Sequence, residues 1–229
     1  MRYIPLVTAL FSTLGAAAQS YDSPATVAID RDAPRSEIVA YSTLSDALTF
    51  DRAASRYLRP VADWQEERNE SGRLLTGEFT MPFAWIDREL FLHVASAGSS
   101  YEVTVNGKRA GYVQDGATPA DFDITRLATE GKNRVTVTLF APAVAECYVM
   151  AQPKMRVRDV VVDAALADDG NNGVLGLGIV MKTHSLNPKT TRVYYELIAP
   201  DSTKVLDGYK DLTLDMRRED TVRIMQVVP

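Results

Sequence analysis

Asp115, Asp121 and Asp123 border two adjacent turns and are the best local cluster of carboxylates in which chemistry could be sought. A calcium ion takes about six to eight oxygen ligands, so three carboxylates would need carbonyls and water to complete a site. Their turn positions suit side-chain capping instead, and no metal is expected. Cys147 is the only cysteine, which excludes an internal disulfide and a thiolate metal cluster. With only His93 and His184 as possible bases, a buried structural thiol is expected there rather than a nucleophile. Trp64 lies in the polar stretch Asp63-Trp64-Gln65-Glu66-Glu67, where it could stack a sugar ring or equally pin the N-terminal leader onto the fold. Together with Gln114 and Asp115 it forms the candidate sugar-binding set. The zincin HExxH, the Gly-x-Ser-x-Gly elbow, the Walker loop and the dinucleotide fingerprint are all absent. Gly173, Gly176 and Gly178 have the wrong spacing for a phosphate loop and read as packing positions, and no cofactor is expected.

The elements that must position these residues are strands. From Leu74 onward the chain shows short runs of period-two alternation separated by Gly, Asn, Asp and Pro. Leu90, Leu92 and Val94 share one face of a run whose other face carries Glu89, Phe91 and His93. Tyr101, Val103 and Val105 repeat the device, and Asn106-Gly107 then predicts a tight hairpin, because both residues tolerate positive φ. Val135, Val137 and Leu139 line a further strand. No long amphipathic helix interrupts the series, so an antiparallel sandwich is favoured over a parallel βαβ sheet. One short helical candidate stands around residues 44–58.

A boundary is expected near residues 153–170. There a linking strand at 157–166 and a long turn at 167–173 lead to strands at 175–182, 192–198 and 221–228, with Pro200-Asp201-Ser202 as a turn. About 70 residues remain, fewer than the ~100 of an immunoglobulin-like sandwich.

A length of 229 residues and 46% apolar composition allow one large or two modest domains with an ample core. The formal charge of −5 is mild and the basic residues are scattered, which excludes the footprint of a nucleic-acid or anionic-membrane binder. Residues 1–19 read as a secretory signal peptide, with a charged start at Met1-Arg2, an apolar stretch from Ile4 to Leu14, and Ala16 and Ala18 placed for cleavage before Gln19. That apolar stretch is shorter than the about 20 residues needed to span a bilayer. The mature protein is therefore expected to be secreted or periplasmic.

Six pieces together are specific: Phe79-Thr-Met-Pro-Phe-Ala-Trp85, Leu90-Phe-Leu-His-Val94, Tyr101-Glu-Val-Thr-Val-Asn-Gly-Lys108, Gly111-Tyr-Val-Gln-Asp115, Pro119-Ala-Asp-Phe-Asp-Ile-Thr125 and Gly131-Lys-Asn133. In order and spacing they resemble the sugar-binding domain of family 2 glycoside hydrolases, the β-galactosidase family. The resemblance extends loosely over residues 36–228 and is strong over 79–140. It implies an all-β chain, a jelly-roll or galactose-binding-like sandwich at 20–157 followed by an immunoglobulin-like domain at 158–229 that stops short of its last strands. It also assigns Trp85 to packing.

The family's acidic, aromatic continuation after the Gly-x-Asn strand is missing here, where residues 140–154 read Phe-Ala-Pro-Ala-Val-Ala-Glu-Cys-Tyr-Val-Met-Ala-Gln-Pro-Lys. Arg158-Asp159-Val160 is similar to the remnant of the strand that leads onward. In such enzymes the two catalytic carboxyl groups stand on a (β/α)₈ barrel of roughly 250 residues or more. The resemblance therefore implies a non-catalytic N-terminal region of an exported glycosidase, meeting carbohydrate through the full-length enzyme. A self-standing carbohydrate-binding module and a structural or adhesion β protein are the alternatives. A sandwich short of strands would leave a C-terminal edge open to self-association.

Overall fold

The computed structural model describes residues 26–69, 72–139, 146–168 and 170–228. The signal segment at 1–19, residues 140–145 of the departure from the family pattern, and residue 169 of the expected long turn lie outside the described residues. Ten strands form the first unit: β1 Ala28–Ile29, β2 Leu58–Pro60, β3 Ala62–Asn69, β4 Gly72–Met81, β5 Glu89–Val94, β6 Tyr101–Val105, β7 Lys108–Val113, β8 Ala120–Asp123, β9 Gly131–Leu139 and β10 Cys147–Gln152. They make a six-stranded sheet, β1-β7-β6-β9-β4-β3, and a four-stranded sheet, β2-β10-β5-β8, and every pairing is antiparallel.

The hairpin turns where its residues demand it, with Asn106 at φ 52° and Gly107 at φ 76° between β6 and β7. Asn106 also ties the hairpin to the next strand entry. Its amide donates to the Asn133 side-chain oxygen at 2.8 Å and to the Leu127 carbonyl at 3.0 Å, while its own oxygen accepts from the Arg134 N–H. Asn133, buried at the start of β9, donates to the Thr129 and Gly131 carbonyls and accepts from the Thr129 N–H. The Asn-Gly and Gly-x-Asn pieces of the motif are thus one hydrogen-bonded corner.

Leu90, Leu92, Val94, Val103, Val105, Val135, Val137 and Leu139 all lie buried between the two sheets, with Trp85, Tyr101 and Phe122 beside them. Burying each large apolar side chain is worth roughly 1.5–3 kcal/mol, so the inward residues of these alternating runs hold the sandwich together.

Five strands follow: β11 Met155–Leu166, β12 Gly173–Thr183, β13 Lys189–Ile198, β14 Lys204–Leu214 and β15 Glu219–Val228. They form a three-stranded sheet, β11-β12-β15, and a two-stranded sheet, β13-β14, around Ile179, Met181, Val193, Leu214, Val222 and Ile224. The expected linking strand is thus a full member of a sheet. Its first half packs Met155 and Val157 against that core, whereas beyond Val160 it is exposed on both faces, with Val162 61% and Leu166 76% accessible.

One expectation needs correction, and two features were not foreseen. The helical candidate at 44–58 shrinks to one turn, α1 at Leu44–Ala47, and a 3₁₀ turn at Arg52–Ala54. Leu44 and Leu48 stay exposed, and without a packed face a helix of that length has little to sustain it. Strand β14 was not anticipated, since its alternation is carried by Lys, Asp and Tyr as much as by apolar residues. Finally, the face of β5 opposite Leu90, Leu92 and Val94 is not left to solvent: Glu89 and Phe91 are buried and His93 is largely covered.

Glu89 explains part of that burial. Its carboxylate meets the Arg156 guanidinium of β11 and the His184 ring just past β12, so the first sandwich is clamped to the second sheet by a buried ion pair.

Candidate functional site

Along β10, Cys147, Val149 and Ala151 join the sandwich core, while Tyr148 and Met150 face the other way and cluster with Phe91 of β5 and Leu58 of β2. This outer face of the four-stranded sheet is roofed by residues 31–37, a strap without regular secondary structure. The strap is fastened at both ends. Arg31 donates to the Pro119 carbonyl at 2.7 Å, and the Asp32 N–H donates to the Asp121 carbonyl at 2.8 Å. At the far end the Ser36 N–H donates to Asp159 Oδ1 at 2.8 Å, and Arg158 donates to the Ala33 carbonyl. Between strap and sheet lies a cleft of about 390 Å³.

Much of its polar lining is cross-linked. Asp121 uses both oxygens, one 2.8 Å from His93 Nδ1 and the other 2.8 Å from Arg35. The His93 ring stacks on Tyr148 with centroids 4.5 Å apart. The Tyr148 hydroxyl donates to Glu37 at 3.1 Å, and Arg52 pairs with both Glu37 and Glu146. Burial, reinforced by the charge of Glu37, pushes the Tyr148 phenol well above its usual range, so it remains a donor. Burial opposes the charge on Arg52, but Tyr148, Glu37 and Glu146 outweigh it and raise its pKa. Asp121 is covered and engaged by both oxygens, whereas Glu37 and Glu146 are about half exposed and share Arg52. The cleft offers hydrogen bonds and an aromatic wall, which suit holding a polar ligand or a neighbouring chain segment.

The sequence-selected residues are placed elsewhere. Trp64 is about a third exposed; its indole N–H donates to the Val61 carbonyl at 3.0 Å, and its ring packs against Gly77, where an added Cβ would lie 2.9 Å from the indole. Gln114 has an exposed side chain, and its N–H donates to the Val27 carbonyl. Asp115 accepts from the Ala117 N–H at 3.0 Å and from the Thr118 hydroxyl at 3.1 Å, and Thr118 in turn receives Arg31 at the rim of the cleft. Only Asp115 therefore borders the cleft, one link removed, and the three do not converge. Asp123 caps its own turn by accepting from the Thr125 N–H and hydroxyl, so the three acids are dispersed among separate tasks. Among the described residues no His, Cys, Asp and Glu cluster could hold a metal ion. Cys147 is buried, which raises its pKa far out of the reactive range.

Sequence reasoning missed Arg35, Glu37, Arg52, Asp121 as a pairing partner, and Tyr148. One signal was present: Phe91, Tyr148 and Met150 put large apolar side chains on the outer face of β5 and β10 as well as the inner one, which calls for a second cover.

The strap's latch makes a pH-dependent prediction. The Ser36 N–H, aided by the Val160 N–H and the Arg158 charge, holds the Asp159 carboxyl below its ordinary range. A depressed folded-state pKa means stabilisation that is present above the unfolded pKa of about 4 and lost as pH falls through the folded value. The stability of the native protein minus that of Asp159→Asn, measured by chemical denaturation, should be positive near neutrality and shrink below about pH 4. A difference independent of pH would show that the latch carries no charge.

Residues 48–167 match the family model described as "Glycosyl hydrolases family 2, sugar binding domain", a stretch of more than half the chain. The chain belongs to that family. It is 26% identical over 115 residues to a β-galactosidase of Priestia megaterium, covering 43% of this chain and 11% of the relative. A β-galactosidase of Clostridium acetobutylicum is 27% identical over 126 residues, 48% of this chain and 14% of its own length. The family 2 chain thus spans little more than a tenth of these curated relatives. Among solved structures, a family 2 β-glucuronidase superposes with a TM-score of 0.62 at 12% identity, over 75% of this chain and 22% of that one. Bacteroides uniformis β-glucuronidase 2 gives 0.61 at 16% identity, over 83% and 26%. At such identities the likeness concerns the fold alone, the all-β sandwich of this family 2 chain. No helix among its described residues is long and apolar enough to cross a membrane.

Proposed function

We propose that the chain is the non-catalytic N-terminal β region of an exported family 2 glycoside hydrolase of the β-galactosidase type, supporting a catalytic barrel that lies outside these residues. The observation that carries this reading is the family match over residues 48–167, which is the sugar-binding domain and not the barrel. Residues 158–229 are read as an immunoglobulin-like domain. Five strands where such a sandwich takes about seven, together with uncovered Val162 and Leu166, favour an unfinished sandwich. The outer edge of β15, which pairs only with β12, is then a template for a further strand from a longer protein or from a second copy. Export rests on the signal-like residues 1–19.

Purified residues 20–229 should not hydrolyse aryl β-galactosides, whereas the longer open reading frame should. Turnover by the short protein that survives purification and disappears in Asp121→Asn would overturn the reading.

A further inference from the structure

The outer face of β13 and β14 carries a ladder of cross-strand pairs whose middle rung is aromatic. Tyr194 stands directly opposite Tyr209, with ring centroids 6.0 Å apart and planes inclined at 51°. The rings are 70% and 57% exposed, unusual for a paired aromatic with a core close at hand. Register forces them outward. On the opposite face Val193 and Leu212 enter the core, and Tyr195 lies across Gly208, where an added Cβ would come 2.4 Å from its hydroxyl. The Tyr195 hydroxyl also accepts from Gln226 of β15 at 2.9 Å.

Each rung beside the tyrosines is polar. Two residues back along the strands, about 6.6 Å away, Arg192 and Asp211 form a bidentate pair at 2.6 and 2.8 Å. The Arg192 guanidinium also stacks 4.1 Å from the Tyr209 centroid and steadies that ring. On the other side Glu196 faces Asp207, a like-charge pair bridged by Lys204. Thr190 and Thr213 close the row through their hydroxyls, 2.9 Å apart.

Stability alone does not account for this layout. A cross-strand pair contributes about 0.2–1 kcal/mol, and two carboxylates directly opposed subtract from it. An apolar protein surface laid on the two rings would bury charged rungs on both sides, which costs more than the rings return. A pyranose fits better, since it presents one apolar C–H face to an aromatic ring and a rim of hydroxyls to flanking donors and acceptors. The charged rungs Arg192, Lys204, Glu196, Asp207 and Asp211 sum to a slight negative excess, which suits an uncharged sugar and opposes a uronate. The inclined rings suit a single twisted chain rather than a flat crystalline surface.

We propose that the outer face of β13–β14 is a binding platform for a soluble, uncharged glycan chain, with Tyr194 and Tyr209 as stacking rings and Arg192, Asp211, Glu196 and Asp207 as hydroxyl partners. This goes beyond the function proposed above, because it assigns a ligand to a face outside the family-matched residues and needs no catalytic barrel. The test is affinity electrophoresis of the full chain in gels containing β-1,4-galactan, galactomannan, hydroxyethylcellulose or polygalacturonate. At least one neutral polymer should retard the protein, and polygalacturonate should not. Tyr194→Thr with Tyr209→Thr, which keeps strand-favouring residues, should weaken retardation about tenfold while leaving the unfolding midpoint nearly unchanged. Tyr→Phe at both positions keeps the rings and should retain binding. Absence of retardation by every neutral polymer, or retardation undiminished in the Thr variant, would overturn the proposal. So would a self-association that the Thr variant abolishes without any retardation, which would make the face a contact between copies. None of these outcomes bears on aryl-galactoside hydrolysis, so the two readings fail independently.

Discussion

Glu89→Gln is expected to destabilise the protein by about 3–5 kcal/mol, because it removes one member of a buried ion pair and leaves the other charge without compensation. Glu89 is 5% exposed and Arg156 7%, and besides Glu89 the guanidinium has a long 3.4 Å contact to the Pro153 carbonyl and the Phe91 ring 4.9 Å away, neither of which carries a compensating charge. His184 would fare better, since over a third of its side chain reaches water. The loss should concentrate at the junction of the two units. Amide exchange ought to rise around Met155–Leu166 more than in the interior strands β6 and β9. A double variant, Glu89→Leu with Arg156→Met, should recover much of the stability, since apolar replacement of a whole buried pair is often neutral or better. A Glu89→Gln protein that unfolds at the native denaturant concentration would show that the clamp holds nothing.

Trp85→Ala should cost a similar amount, about 3–5 kcal/mol, through the lost transfer energy of the indole and the cavity it leaves. Trp85 is 1% exposed at the end of the 3₁₀ turn Phe83–Trp85, where its neighbour Phe83 is 67% exposed. The same turn thus offers its own control. Its indole N–H donates to the Arg56 carbonyl at 3.3 Å, and Arg59 lies 5.6 Å from its ring. Removing it also unties the chain leading into β2. Phe83→Ala should change the denaturation midpoint little. Equal losses in the two variants would mean that the loop, and not the buried ring, carries the stability.

The sequence was most legible where one residue's local demand coincided with the tertiary one. Asn106-Gly107 turns because of its own backbone, and the inward residues of β5, β6 and β9 alternate at the strand period. Legibility failed where burial came from a distant segment. The cover over His93 and Tyr148 was not legible, because nothing local announces that residues 31–37 return to them. The strap itself has almost no pattern, since its work is done by Arg31, Arg35 and Ser36 reaching partners far along the chain. Trp64 shows the converse: aromatic identity suggested a platform, while the contact that places its ring depends on Gly77 having no side chain.

Contacts made across such a span also impose an order of events. Ser36 meets Asp159, 123 residues later, and Arg158 reaches back 125 residues to Ala33. Neither bond exists until most of the chain has been synthesised, and closing so long a loop carries an entropy cost that nearby pairings such as β6–β7 escape. A segment made before the four-stranded sheet it covers is therefore among the last to find its seat, and until then Phe91, Tyr148 and Met150 lack this cover.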